Sequence, residues 1–173
     1  MIVSNDLKWS SNTNHITQKA MKSFWIIRRL KNLGFEENFL IDVYQKEIRS
    51  VLEFGAPVWH GSLTDYDSDR IENIQKKIFK IILQNKYTTY DDACVHFKMN
   101  TLKSRRLKIC LKFSHKELKK DESLFKKFHP KVINRHTHKK IVEEVTCNTD
   151  RYFNSSVPYL SRLMNNDHAS KTK

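Results

Sequence analysis

The sequence predicts an all-α fold, five to six helices in an irregular bundle, with a short N-terminal strand at Met1–Val3 as its one β element. Three observations predict it. Apolar residues recur at spacings of three, four and seven along five segments, the repeat of a helix face. Capping residues precede those segments, and glycine or a polar turn follows them. Glycine and proline are scarce, three of each in 173 residues, which disfavours a turn-rich β architecture. Charged residues make up 29% of the chain and apolar ones 39%, the balance of a helical protein with a real core.

The first helix is expected over Ser10–Leu33, capped by Ser11 or Asn12, with Ile16, Ala20, Phe24, Ile27 and Leu30 inward. Trp9 should pack at its entrance, and Gly34 should end it. The second is expected over Phe35–Phe54, with Leu40, Val43, Tyr44, Ile48 and Val51 inward, and the short link at Gly34 favours an antiparallel pair. Gly55 can take the positive φ that stops a helix, and Pro57 opposes resumption. Val58 and Trp59 are apolar within this connection, so they should plug a core. The third helix is expected over Leu63–Gln84. Thr64 or Asp65 caps it, its first turn is acidic, and Ile71, Ile74, Ile78, Ile81 and Ile82 form its inner face.

Asn85–Thr89 reads as a turn. Thr89 with Asp92 fits a capping box before a short helix reaching Met99. The fifth helix, Leu102–Lys120, is the most basic. Phe125 and Phe128 sit in a short helical turn that Pro130 ends. The chain is thus expected to divide into a helical domain over 1–130, a basic loop over 131–149, a docking helix over 150–165 and a disordered tail over 166–173.

The formal net charge of +13 is unevenly spread. Residues 1–100 hold 14 Lys and Arg against 12 Asp and Glu, whereas residues 101–173 hold 18 against 7. A polyanion meeting the C-terminal half is the partner this asymmetry implies. On a wheel of 100° per residue, Arg105, Lys108, Lys112, Lys116 and Lys119 fall within roughly 80°. Leu107, Cys110, Leu111, Ser114 and Leu118 lie opposite, and Glu117 is the one acid before Asp121. Cations in line can follow a phosphate backbone without reading bases. These five are the candidate nucleic-acid-binding residues, for RNA, DNA or an RNA–DNA hybrid. The competing reading is a solvated basic face.

Other constellations carry less chemistry. Tyr90-Asp91-Asp92 brings to mind a polymerase metal site, but its acids stand in the first turn of a helix. Asp65, Asp67 and Asp69 imitate the opening of a calcium loop, yet Arg70 stands where the loop needs glycine and Lys76 where it needs glutamate. His136 and His138 with Cys147, or Cys94 with His96, lack the four converging ligands of a structural zinc. No cofactor or metal is expected. Cys94, Cys110 and Cys147 are odd in number and widely spaced, as reduced thiols of an intracellular protein, nuclear or cytoplasmic, would be. The longest apolar runs are far too short to span a bilayer.

One stretch, Ile48 to Leu83, joins two amphipathic helices through Gly55, Pro57 and Trp59. It resembles the region following the catalytic palm in reverse transcriptases of non-LTR retrotransposons, the jockey-like group. The likeness begins at Ser4-Asn5-Asp6-Leu7-Lys8-Trp9, includes Arg28-Arg29-Leu30, and ends near Arg151-Tyr152-Phe153-Asn154-Ser155 with Pro158-Tyr159-Leu160. The resemblance implies a thumb-like helical segment of an RNA-directed DNA polymerase that grips the template–primer duplex. The chain begins inside a motif of that family, as a truncated copy of a transposable element would. With no palm aspartates to hold two divalent ions, it is expected to be catalytically inactive. The alternatives are a stand-alone basic helical module that binds nucleic acid and a helical scaffold that binds protein.

Overall fold

The structure, a computed structural model, describes residues 1–6, 8–117, 120–126, 128 and 142–171. It is all-α, with no β-strand among the described residues. The N-terminal strand expected at Met1–Val3 is therefore not formed. Those residues are exposed, and the Ile2 amide donates instead to Asn12 Oδ1 at 3.0 Å. The helices are more numerous than expected, because two long segments break. The chain groups into two compact units, Met1–Gly55 with Leu63–Arg105, and Ala56–Ser62 with Arg106–Lys173.

In the first unit, α1 (Ser10–Lys22) and α2 (Phe24–Asn32) replace the single helix expected over Ser10–Leu33. They part at Ser23, whose amide reaches Ala20 O at 3.1 Å, a tighter turn than the α-helix makes. Of the residues expected inward, Ile16, Ala20, Phe24 and Ile27 are buried and Leu30 is half-buried. Gly34 then ends α2 with φ +84°, the left-handed conformation that glycine adopts without a Cβ clash. The second expected helix is a continuous helical run in three parts: α3 (Glu37–Val43), a π-turn (Tyr44–Arg49) and α4 (Ser50–Glu53). Gly55, at φ +67°, follows it.

The long helix α6 (Asp65–Leu83) is the element on which α1, α2, α3 and α7 (Tyr90–His96) pack. Thr64 caps it as expected, Oγ1 accepting from the Asp67 amide at 3.1 Å. Asp67 is itself buried and accepts from Ser10 Oγ at 2.8 Å, tying the start of α1 to the start of α6. Ile71, Ile74, Ile78 and Ile82 are buried along one face, and Ile81 is half-buried at its edge. Thr89 caps α7 through the Asp92 amide at 3.1 Å, and Asp92 accepts in return from Thr88 and Thr89. Those hydroxyls hold the Asp92 carboxyl below the usual carboxylate range.

The core of this unit contains a polar network that crosses its helices. Tyr44 Oη donates to Gln75 Oε1 at 2.6 Å, and Gln75 Nε2 donates to Tyr90 Oη at 2.8 Å and to Asn100 O at 3.1 Å. Tyr90 donates to Glu72, which also accepts from the Leu102 and Lys103 amides at 2.9 and 3.0 Å. Phe79 packs against Tyr44, Tyr90 and Phe97 beside this network. Burial pushes the Tyr44 phenol far above its ordinary range.

That shift has a signed consequence. The unfolded chain ionises its tyrosines near pH 10, while folded Tyr44 stays neutral, so its contribution is complete below about pH 10 and is lost as the pH rises further. Unfolding free energy should fall above that pH by up to about 1.4 kcal/mol per pH unit from this group. Denaturant titrations of the wild type and Tyr44→Phe between pH 8 and 11 should show a shallower alkaline decline in the variant. Equal declines would contradict this.

In the second unit, α5 (Ala56–Trp59) continues into a 3₁₀ turn, His60–Ser62. Pro57 does not prevent the helical turn, because the first turn requires no amide from it. Trp59 is fully buried, as expected of a residue that plugs the core, whereas Val58, expected to do the same, is exposed. The unit is built around a long C-terminal helix, preceded by α10 (Asp150–Phe153), with α9 (Glu122–Lys126) lying earlier in the chain. This helix, α11 (Ser156–Lys171), packs on α5, the 3₁₀ turn, α10 and the π-turn Phe113–Glu117. Cys110, Phe128, Val142, Leu160 and Met164 form a buried cluster here, flanked by Phe113, Phe125, Val157 and Leu163.

These observations revise the expected boundaries. Ala56–Ser62 joins the C-terminal unit because α5 and its 3₁₀ turn bury their apolar side on α11, not at a boundary near residue 130. The docking helix is interrupted at Asn154 and Ser155, and α11 continues to Lys171, through residues expected to be a disordered tail. Within the expected basic loop, 131–141 lie outside the described residues. Val142 is buried, its amide donating to Asn165 Oδ1 and its carbonyl accepting from Asn165 Nδ2.

Candidate nucleic-acid interface

The basic helix begins where the polar network ends. Thr101 precedes α8 (Leu102–Lys112), and Glu72 from α6 receives the two free amides of its first turn. A carboxylate at that position complements the helix dipole as well as the orphan donors. The Ser104 amide donates to Thr101 Oγ1 at 3.2 Å, completing the start. The helix expected to run from Leu102 to Lys120 keeps α-helical geometry through Lys112 and then passes into a π-turn, Phe113–Glu117.

The five sequence-predicted cations do not share one fate. Arg105, in the first unit, is held by Glu53 in a two-pronged pair, Nε to Oε1 at 2.6 Å and Nη2 to Oε2 at 3.0 Å. Glu53 also lies 4.0 Å from Arg49. The hydrogen bonds that Arg105 donates to Glu53 push its guanidinium pKa up. Its guanidinium is paired within the protein, so Arg105 acts as a structural cation here and is a weaker candidate for phosphate contact.

Lys108, Lys112 and Lys116, in the second unit, are exposed. None has an acidic partner among the described residues. Lys108 and Lys112 are four residues apart on α8, hence neighbours on one face. Lys116 follows within the π-turn, whose i→i+5 bonding widens the turn, so the angular increment of the α-helix stops applying after Lys112. Lys119 lies outside the described residues.

The opposite side of the helix also departs from expectation. Cys110 and Ser114 are buried as expected, Leu111 is half-buried, and Leu107 is exposed. Arg106, one turn before Cys110, is fully buried. Burial pushes the Cys110 thiol up to about 12, which leaves it a poor nucleophile at neutral pH.

The motifs that imitate metal sites resolve into local structure. Asp67 is used by Ser10, Thr64 and Arg70, while Asp65 is exposed with Lys103 at 3.8 Å. Asp91 and Asp92 stand in the first turn of α7. Cys94 is buried, and His96 is paired with Glu37 at 3.0 Å. Cys147 is half-buried with its thiol toward Val145 O at 3.2 Å, and His136 and His138 lie outside the described residues. Among the described residues no cluster of three or more His, Cys, Asp or Glu is placed to hold a metal ion. No described helix is long and apolar enough to cross a membrane.

Sequence reasoning missed Glu53 and Glu72. Neither lies near the basic helix in sequence, and only the long-range packing brings their carboxylates to Arg105 and to the start of α8. Compared with protein-family models, curated proteins and solved structures, the chain matches none.

Proposed function

We propose that this chain binds nucleic acid through backbone phosphates, with Lys108, Lys112 and Lys116 as the contacting residues. In this reading it is the thumb-like part of a non-LTR retrotransposon reverse transcriptase and performs no polymerase chemistry itself. The observation that carries the binding is three exposed lysines over α8 and its π-turn with no acid paired to any of them among the described residues. A solvated helix face usually intersperses acids among its cations. The excess charge of residues 101–173 acts in the same direction, concentrating a polyanion near the face.

Lysine is a point charge on a flexible stem, so these residues would hold phosphates without reading sequence. Duplex DNA or an RNA–DNA hybrid should therefore bind with little base preference. Changing Lys108, Lys112 and Lys116 together to Gln keeps helix propensity and removes three charges. The variant should bind duplex DNA more weakly on every sequence tested, with base preference unchanged. Lys19, Lys46 and Lys77, exposed lysines of the first unit, serve as the control triple. Changing them to Gln should have a much smaller effect. Equal losses from both triples would mean diffuse charge, and no loss from either would remove the proposed role.

A further inference from the structure

The first unit carries a cationic aromatic surface that the lysines of α8 do not explain. Trp25 is 65% exposed on α2, unusual for the largest apolar side chain. Arg28 and Arg29 follow it at i+3 and i+4, the positions that share its helix face. Both arginines are exposed, and neither is paired with an acid among the described residues. Lys22, ahead of the Ser23 break, is exposed as well, and α2 contains no acidic residue. The opposite side of α2 is accounted for, since Phe24 and Ile27 are buried and α2 packs on α6. The outer face thus carries an indole beside two guanidinium groups that have no acidic partner among the described residues.

We propose that Trp25, Arg28 and Arg29 form a binding site for single-stranded nucleic acid, the indole stacking on a base while the arginines hold the flanking phosphates. Stacking needs an unpaired base, because a duplex presents its base faces only to neighbouring base pairs. The arginines favour this occupant over an apolar protein surface, because docking such a surface would bury two guanidinium groups without partners. An aromatic face accepts every base, so sequence preference should be slight. The site belongs to the first unit and the duplex contact proposed for Lys108, Lys112 and Lys116 to the second, and either proposal can fail without the other.

The test uses the full chain and a labelled 15-nucleotide oligo(dT), with a 15-base-pair duplex as comparison, followed by fluorescence anisotropy. Trp25→Ala should weaken oligo(dT) binding by roughly 5- to 150-fold, the range for losing one aromatic–base stack. Trp25→Phe should recover most of that loss, because it restores a ring. Arg28→Gln with Arg29→Gln should make the single-strand salt dependence shallower by about 1.4 log units per log unit, from two phosphates. Duplex affinity should change little in Trp25→Ala. Because Trp25 is exposed, the melting temperature should stay at the wild-type value, which separates lost binding from lost folding.

Unchanged oligo(dT) affinity in Trp25→Ala would overturn the proposal. So would an equal loss on duplex and single strand. A change in self-association without a change in oligonucleotide affinity would assign the face to protein contact and overturn it too.

Discussion

Trp59→Ala should destabilise the unit that contains it by roughly 3–5 kcal/mol, the cost of removing a buried aromatic side chain and leaving a cavity. Trp59 is fully buried and is the largest such side chain among the described residues. It lies at the end of α5, which packs on α11, and the next residues form the 3₁₀ turn against the same helix. The turn is close-packed. His60 meets the Tyr159 ring edge-on at 5.9 Å, and Ser62 Oγ donates to Asn154 O at 2.7 Å. For a protein of this size the melting temperature should fall by about 2–4 °C per kcal/mol. Trp59→Phe keeps a ring and should lose less. A Trp59→Ala variant that melts with the wild type would show that this joint does not hold the unit together.

Glu72→Ala should cost roughly 2–5 kcal/mol in the first unit, because it strands three donors in one place. Tyr90 Oη loses its acceptor, and so do the Leu102 and Lys103 amides. Leu102 is fully buried, so water cannot readily replace the carboxylate there. Tyr90→Phe removes two hydrogen bonds, one to Glu72 and one from Gln75, but leaves Gln75 its bond to Asn100 O and Glu72 its two amides, so it should cost less, about 1–3 kcal/mol. Hydrogen exchange provides a local readout. The Leu102 and Lys103 amides should lose protection in Glu72→Ala and retain it in Tyr90→Phe. Protection that survives in Glu72→Ala would mean that the carboxylate does not organise the start of α8.

The residues that were legible in the sequence acted locally. Thr64 with Asp67 and Thr89 with Asp92 cap their own helices across three residues, and Gly34 and Gly55 stop theirs at positive φ. The isoleucines of α6 face inward because the helical repeat alone places them together. The break at Ser23 was not legible, since neither glycine nor proline marks it and its backbone remains near the helical region. The π-turns at Tyr44–Arg49 and Phe113–Glu117 were hidden for the same reason: the segments remain helical and amphipathic while their hydrogen-bond register changes.

The candidate site was half legible. A helix wheel finds cations on a shared face, but it cannot see an acid brought there by the fold. Arg105 and Lys108 look alike on the wheel. Glu53, 52 residues before Arg105, makes one a structural cation and leaves the other without an acid among the described residues. Burial of Arg106 was equally out of reach, because a charged residue gives no apolar signal.

The central claim is that Lys108, Lys112 and Lys116 meet phosphates, and the salt dependence of duplex binding tests it most directly. Each phosphate contact releases counterion and steepens log K against log salt by about 0.9 for duplex DNA. Affinities of the wild type and the triple Lys→Gln variant, measured on one duplex from 50 to 300 mM salt, should give slopes that differ by roughly 2 to 3, the variant being shallower. Parallel lines would contradict the claim, because three lysines whose removal releases no fewer counterions do not touch phosphates.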